Sequence, residues 1–299
     1  MSIRLTVVTF SLDDAKSEKI DAAFRSFMQE TNYWQGKVLL DYSLMMHKAW
    51  RPVLPMLPLA ADISVLDVGT GYGLLIDELA ANLSVALYGI DIDAKYIQGA
   101  RALSETLAAQ DIFESGSQIE FEVGDICSIP YPDSMFEFTM VREVFQFVDD
   151  IDKATEEIKR VTKPTGFVCV SDNDDGLFLS YPEPTEAFKK LHRAIEKEQS
   201  SYGGDRKVGR KISTILSNHG FEILAVNVIP EARHWKVTPQ DPERFFLLEQ
   251  LREAKERLVS SNALSSSEYD ALLRQVESEP PSEQFRFNAR VLVIGRKPR

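Results

Sequence analysis

Up to about Leu59 the chain sets apolar and aromatic residues three and four apart, as in AFRSFMQETNYWQ and VLLDYSLMMHKAWRPVL, which predicts helices with one buried stripe. Pro52, Pro55 and Pro58 then punctuate the chain. From Ser64 the rhythm changes. Short β-branched runs (SVLDV, ALYGID, IEFEV, FEFTMV, FVCVS) alternate with longer amphipathic stretches such as LLIDELAANL and AKYIQGARALSETLAAQ. Strands alternating with helices predict a largely parallel sheet covered on both faces.

After Ser171 the alternation relaxes into the turn-rich DNDDGLFLSYPEPTEAF, followed by a helix from Lys189 to Gln199. A second helix, RKVGRKISTILSNHG, ends in Gly220, which suits a C-terminal cap. FEILAVNVI reads as a strand and FRFNARVLVIG as the last one. About fifty residues separate them, including the helical patterns PERFFLLEQLREAKERLV and SEYDALLRQVE, too many for a hairpin loop. The two strands are therefore expected to pair antiparallel at one end of the sheet, with a helical insertion between them. The predicted organisation is an N-terminal helical cap over 1–60 and a core over 61–175. A C-terminal part over 176–299 completes the core and carries lid insertions at about 176–205 and 230–283.

At 299 residues and 44% hydrophobic, the chain can bury a sizeable core. Its net charge of -12 repels nucleic acid phosphates, so a nucleic acid partner is not expected. Cys127 and Cys169 make no disulfide framework, which suits a reducing cytoplasm. The N-terminal MSIRLTVVTFSLDDAKSEK lacks the long uncharged core of a signal peptide, and no run reaches the roughly eighteen apolar residues of a membrane span. A soluble protein without membrane insertion is the expectation.

The most informative stretch is VLDVGTGYG, Val65 to Gly73, in which an apolar strand runs into a glycine-rich turn and then a helix. Gly69 and Gly71 allow a sharp turn and close approach of a ligand to the helix N-terminus. Further on, ALYGID ends a second strand in Asp91, placed to accept hydrogen bonds from both hydroxyls of a ribose. A nicotinamide dinucleotide fingerprint wants a third glycine where this chain has Leu74. Asp67, ahead of the turn, would also sit poorly beside a pyrophosphate. It suits a ligand carrying an ammonium and a sulfonium.

From about Val65 to Val170 the sequence resembles the class I S-adenosylmethionine-dependent methyltransferases. Gly124-Asp125-Ile126 is similar to that family's third-strand terminus. IPYPDSMFEFTMV resembles the "lPfpdnsFDlv" segment of the subgroup that includes quinone-biosynthesis enzymes, with Glu137 in place of Asp. EIKRVTKPTGFVCVS resembles "EiaRVLkPGG", with Thr165 in place of the first glycine. The resemblance implies an α/β, Rossmann-like fold with a seven-stranded sheet, an N-terminal helical cap and a helical insertion before the last strand. It implies S-adenosylmethionine as cofactor and S-adenosylhomocysteine as product. Carried over by position, Asp67, Gly69, Thr70 and Gly71 would meet the amino-acid end of the cofactor. Asp91 and Ile92 would meet the ribose side and Asp125 with Ile126 the adenine, while Arg142 would lie where the cofactor amine meets the substrate side.

Methyl transfer needs alignment of donor and acceptor, and a base if the acceptor carries a proton. Many relatives have His where this chain has Phe147, so a histidine base is excluded there and an aromatic pocket residue expected instead. Glu143 is a candidate base or a strand-end partner of Arg142. His47, His192 and His234 are the remaining base candidates, in segments where this fold builds its substrate lid; His219 reads as structural. Tyr33 and Trp34 are the most lid-like aromatics of the cap. Phe245, with Phe246 and Leu248, offers an apolar face for an acceptor pocket or a homodimer contact. The basic run around Arg206 to Lys211 either attracts an anionic substrate or is a solvated helix start. No His and carboxylate set has metal-ligand spacing, so no metal is expected. The predicted function is methyl transfer to O, N or C of a small metabolite. Cyclisation, elimination or rearrangement on the same cofactor, and a non-catalytic partner subunit, stand as alternatives.

Overall fold

The computed structural model describes residues 10–30, 43–45, 47–238, 242–279 and 283–299. Helix α1 (Asp14–Glu30) buries Ile20, Phe24 and Met28, a stripe at helical spacing, and a short helical segment at 43–45 and 47–50 follows. Tyr33 and Trp34 lie outside the described residues. The α/β core then runs β1 (Ser64–Val68), α2 (Leu74–Asn82), β2 (Ala86–Asp91), α3 (Ala94–Ala108), β3 (Gln118–Val123), β4 (Phe136–Arg142), α4 (Ile151–Val161) and β5 (Thr162–Asn173). The remainder is β6 (Leu179–Tyr181), α5 (Glu186–Ser201), α6 (Ile212–Asn218), β7 (Glu222–Lys236), α7 (Pro242–Ser260), α8 (Ser266–Glu277) and β8 (Glu283–Arg296).

The sheet order is β3-β2-β1-β4-β5-β8, with β6 and β7 both on β8. The first five strands are parallel and β8 is antiparallel to β5. Chain order reverses between β1 and β4, which opens a crevice at the carboxyl ends of those strands. One face of the sheet packs Leu75, Ile76 and Leu79 of α2 with Trp50 and Leu54; the other packs Ile158 of α4 and Ile212 and Leu216 of α6. Helix α1 packs on α2 and α3 through Phe24, Leu103 and Leu107. Among the described residues no helix is long and apolar enough to cross a membrane.

Among the described residues eight strands form where seven were expected. β8 is long, and only its Arg290–Arg296 half lies on β5; β6 satisfies part of the other half, pairing Leu179–Tyr181 with Phe285–Phe287. β7 also runs past the expected Ile229 to Lys236, so the helical insertion begins after that residue and not at 230. The extension is possible because Glu231, Arg233 and Trp235 alternate with Ala232 and His234 and keep pairing with β8 down to Glu283. The helices α5, α7 and α8 share a core of their own, built on Leu191, Leu251, Leu258 and Tyr269.

Of the two departures from the resembling motifs, Glu137 has a structural reason and Thr165 has none. Glu137 accepts hydrogen bonds from Ser64 N (2.8 Å) and Ser64 Oγ (2.6 Å), tying β4 to the start of β1, and pairs with Lys163. Thr165 sits at φ 67°, the left-handed region where a β-branched residue is strained, and its N–H donates to Lys297 O at 2.9 Å. Thr165→Gly is therefore expected to raise unfolding stability by about 1 kcal/mol in urea titrations, strain relief exceeding the added chain entropy. A destabilised variant would show that the threonine is not strained.

Candidate active site

A cleft of about 1550 Å³ opens at the crevice between β1 and β4. That exceeds the roughly 300–1,000 Å³ of a single-ligand pocket and leaves room for a cofactor and an acceptor. The turn after β1 forms its floor. Gly69, Gly71 and Gly73 all take positive φ (74°, 55° and 74°). A Cβ on Gly69 would stand 2.2 Å from Val144 Cγ2, so the loop after β4 closes over it, whereas a Cβ on Gly71 would meet nothing within 4 Å. Gly71 thus faces open space into which a ligand fits.

Asp91 at the end of β2 accepts from Gly71 N (2.9 Å) through one oxygen and from Asp93 N (3.0 Å) through the other. Each oxygen keeps a lone pair for a ribose hydroxyl. Burial pushes its carboxyl above the ordinary carboxylate range, with the two backbone donors opposing. Ile92, next along the cleft, is 73% exposed, an apolar surface that a flat base would cover. Asp125 and Ile126 lie across from it after β3, and Asp125 Oδ1 accepts from Cys127 N at 2.8 Å. Thr70 is buried in the cleft wall and its Oγ has no partner among the described residues. These groups fit the nucleoside and amino-acid parts of S-adenosylmethionine: a carboxylate pair of acceptors, an uncovered apolar side chain, and an unpaired hydroxyl beside a glycine turn.

Asp67 does not line the cleft itself. It is buried behind the wall, with Oδ2 3.3 Å from Arg142, whose guanidinium lies 5.3 Å from the centroid of Trp50. Arg142 does line the cleft, so Asp67 acts through it. Close by, His47 Nε2 stands 2.8 Å from Glu78 Oε2, and Arg51 donates to the same oxygen at 3.0 Å. Burial holds His47 below the ordinary imidazole range, against the pull of Glu78.

On the acceptor side α5, α7, β7 and β8 each supply wall residues: His192, Leu247, Gln250, Arg233 and Asn288. His192 Nε2 lies 3.5 Å from Asp175 Oδ2, and Arg206 grips both oxygens of Asp175. Burial lowers the His192 pKa, while Asp175 opposes that shift. Phe147, 57% exposed, and Phe178 add aromatic surface.

Residues 66–170 match the methyltransferase domain family, a span that holds the glycine turn, Asp91, Asp125 and Arg142. The chain is 29% identical over 54% of its length to the 27-O-demethylrifamycin SV methyltransferase of Amycolatopsis mediterranei, covering 52% of that protein. It is also 29% identical over 43% of its length to the ubiquinone/menaquinone biosynthesis C-methyltransferase of Rickettsia bellii, again covering 52%. Residues 66–170 of the chain are a methyltransferase domain. A solved structure from Bacillus halodurans has a similar fold, with a TM-score of 0.54 at 19% identity over 83% of this chain and 98% of that one. The chain spans about half the length of the curated relatives it matches.

Around the methyltransferase domain, several expectations are corrected. His234 is exposed and outside the cleft: strand alternation puts Glu231 and Arg233 of β7 in the wall and His234 on the opposite face. Phe245 is exposed on α7 and does not line the cleft, which takes Leu247 and Gln250 from that helix. Glu143 pairs with Arg290 (2.6 Å) and accepts from Asn173 Nδ2 (2.8 Å), and does not pair with Arg142. Its φ of 60° turns the chain away from β4, so the two adjacent side chains take different partners. Arg206, Lys207, Arg210 and Lys211 each have a carboxylate partner, which makes that run a brace. Sequence reasoning missed the buried Glu78 and Arg290 and the half-buried Arg51, partners separated in sequence from the groups they hold.

Proposed function

We propose that the chain binds S-adenosylmethionine over the glycine turn and transfers its methyl group to a small, partly apolar acceptor held between the lid helices and the β7–β8 arm. The observation that carries this reading is the single cleft joining the Asp91–Ile92 end to a chamber walled by α5, α7, β7 and β8. The rifamycin and quinone names of the two relatives agree with an acceptor of this size. Bound there, the cofactor supplies an electrophilic methyl group. The chain's own contribution is alignment, exclusion of water and removal of the acceptor proton.

For that proton His192 is favoured over Glu143. Asp175 faces His192 Nε2, which leaves Nδ1 as acceptor, whereas both Glu143 oxygens are held by Arg290 and Asn173. The test is incubation of the protein with methyl-labelled S-adenosylmethionine and a panel of hydroquinones and phenols. Acceptor-dependent formation of S-adenosylhomocysteine with label in the product is the expected result. Conversion of an acceptor without S-adenosylhomocysteine would replace methyl transfer by cyclisation or elimination.

A further inference from the structure

His47 is 3% exposed, yet it borders the cleft. Its Nε2 faces Glu78, and its Nδ1 meets no partner among the described residues. Glu78 is itself wholly buried on α2, where it also takes hydrogen bonds from Ser17 Oγ and Arg51 Nε. Those contacts fix the ring, so Nδ1 stays directed away from Glu78. A buried imidazole nitrogen without a partner weighs against the free protein and points to a group that arrives with a ligand.

The neighbourhood says which group. Trp50 follows His47 by three residues on one helical segment, so the two share a face, and Arg142 lies over the Trp50 ring. Arg142 in turn is tied to Asp67 beneath the glycine turn. His47, held on Glu78 of α2, and Arg142, tied to Asp67 of β1, thus both border the cleft beside the elements that flank the glycine turn. We propose that His47 donates its Nδ1–H to the carboxylate of the methionyl end of the cofactor while Glu78 holds its Nε2–H. The assignment rests on the S-adenosylmethionine reading above, and it removes His47 from the candidate bases.

Donation from both nitrogens requires the imidazolium. The charged groups facing His47 are Glu78 and Arg51 on α2's side and Arg142 on the cleft side; Asp21, paired with Arg51 and Lys48, lies beyond Arg51. Burial keeps the ring neutral near neutral pH in the free protein, so ligand binding takes up a proton and affinity falls as pH rises.

The experiment is calorimetry of the parent and His47→Gln with S-adenosylhomocysteine and with 5′-methylthioadenosine, which keeps the nucleoside and thioether but lacks the amino acid. Glutamine reaches Glu78 as Nε2 does and offers nothing at Nδ1. The expected result is about tenfold weaker S-adenosylhomocysteine binding with unchanged methylthioadenosine binding. At pH 7.5 the parent's binding enthalpy should differ between Tris and phosphate buffers, a difference lost in the variant. Equal affinity for S-adenosylhomocysteine, or equal loss for both ligands, would overturn the assignment. A parent that binds neither ligand would instead sink the cofactor reading.

Discussion

An Asp91→Ala protein is expected to bind S-adenosylhomocysteine about a hundredfold more weakly than the parent in calorimetry, with its circular dichroism unchanged. Hydrogen bonds to a charged group contribute about 1.5–3 kcal/mol each, and two ribose hydroxyls lose theirs at once; water recovers part of that, leaving a loss of about 3 kcal/mol. The same carboxylate accepts from Gly71 N, so its removal also loosens the turn that the ligand lies against. Asp91→Asn keeps an acceptor for Gly71 and should fall between, at about a tenfold loss. Because burial raises the Asp91 pKa while ligand binding needs the ionised form, affinity should also decline on the acid side. There the loss runs opposite to the one expected from His47. Binding by Asp91→Ala within threefold of the parent would remove Asp91 from the ribose site.

That the glycine turn, Asp91 and Asp125 gather in one cleft was legible in the sequence because each is signalled locally. All three stand at the end of a β-branched run, and a doubly wound sheet brings strand ends together whatever the intervening loops do. The Asp67–Arg142 pair was half legible: both residues were singled out, but nothing in the spacing indicated that Arg142 would screen Asp67 from the cleft. The His47–Glu78–Arg51 group could not be read, since Glu78 looks like an ordinary polar residue of an amphipathic helix until the cap packs on that face. Nor could Arg290 and Glu143, which meet only through the β5–β8 pairing. His234 was open to better reading. Once β7 is extended through the alternating EARHWK, Glu231 and Arg233 take one face and His234 takes the other.

If the acceptor carries a proton, His192→Ala is expected to lower kcat about a thousandfold while leaving S-adenosylhomocysteine affinity unchanged, since a positioned base contributes roughly 10²–10⁴. A structural role would predict a different pattern, with stability and cofactor affinity falling along with the rate. The pH profile separates the two more sharply. Burial lowers the His192 pKa, so the neutral, proton-accepting ring predominates at neutral pH, and the rate should fall only on the acid side as the ring becomes charged. Asp175 opposes that lowering; with its charge removed in Asp175→Asn, the His192 pKa drops further and the acid limb moves to lower pH. The Asp175→Asn rate at its plateau should still be reduced, because Arg206 and the carboxylate together fix the ring and the charge stabilises the imidazolium as it forms. An acid limb that stays in place in Asp175→Asn, or a His192→Ala enzyme within fivefold of the parent, would assign proton removal to another group or to an acceptor that needs none.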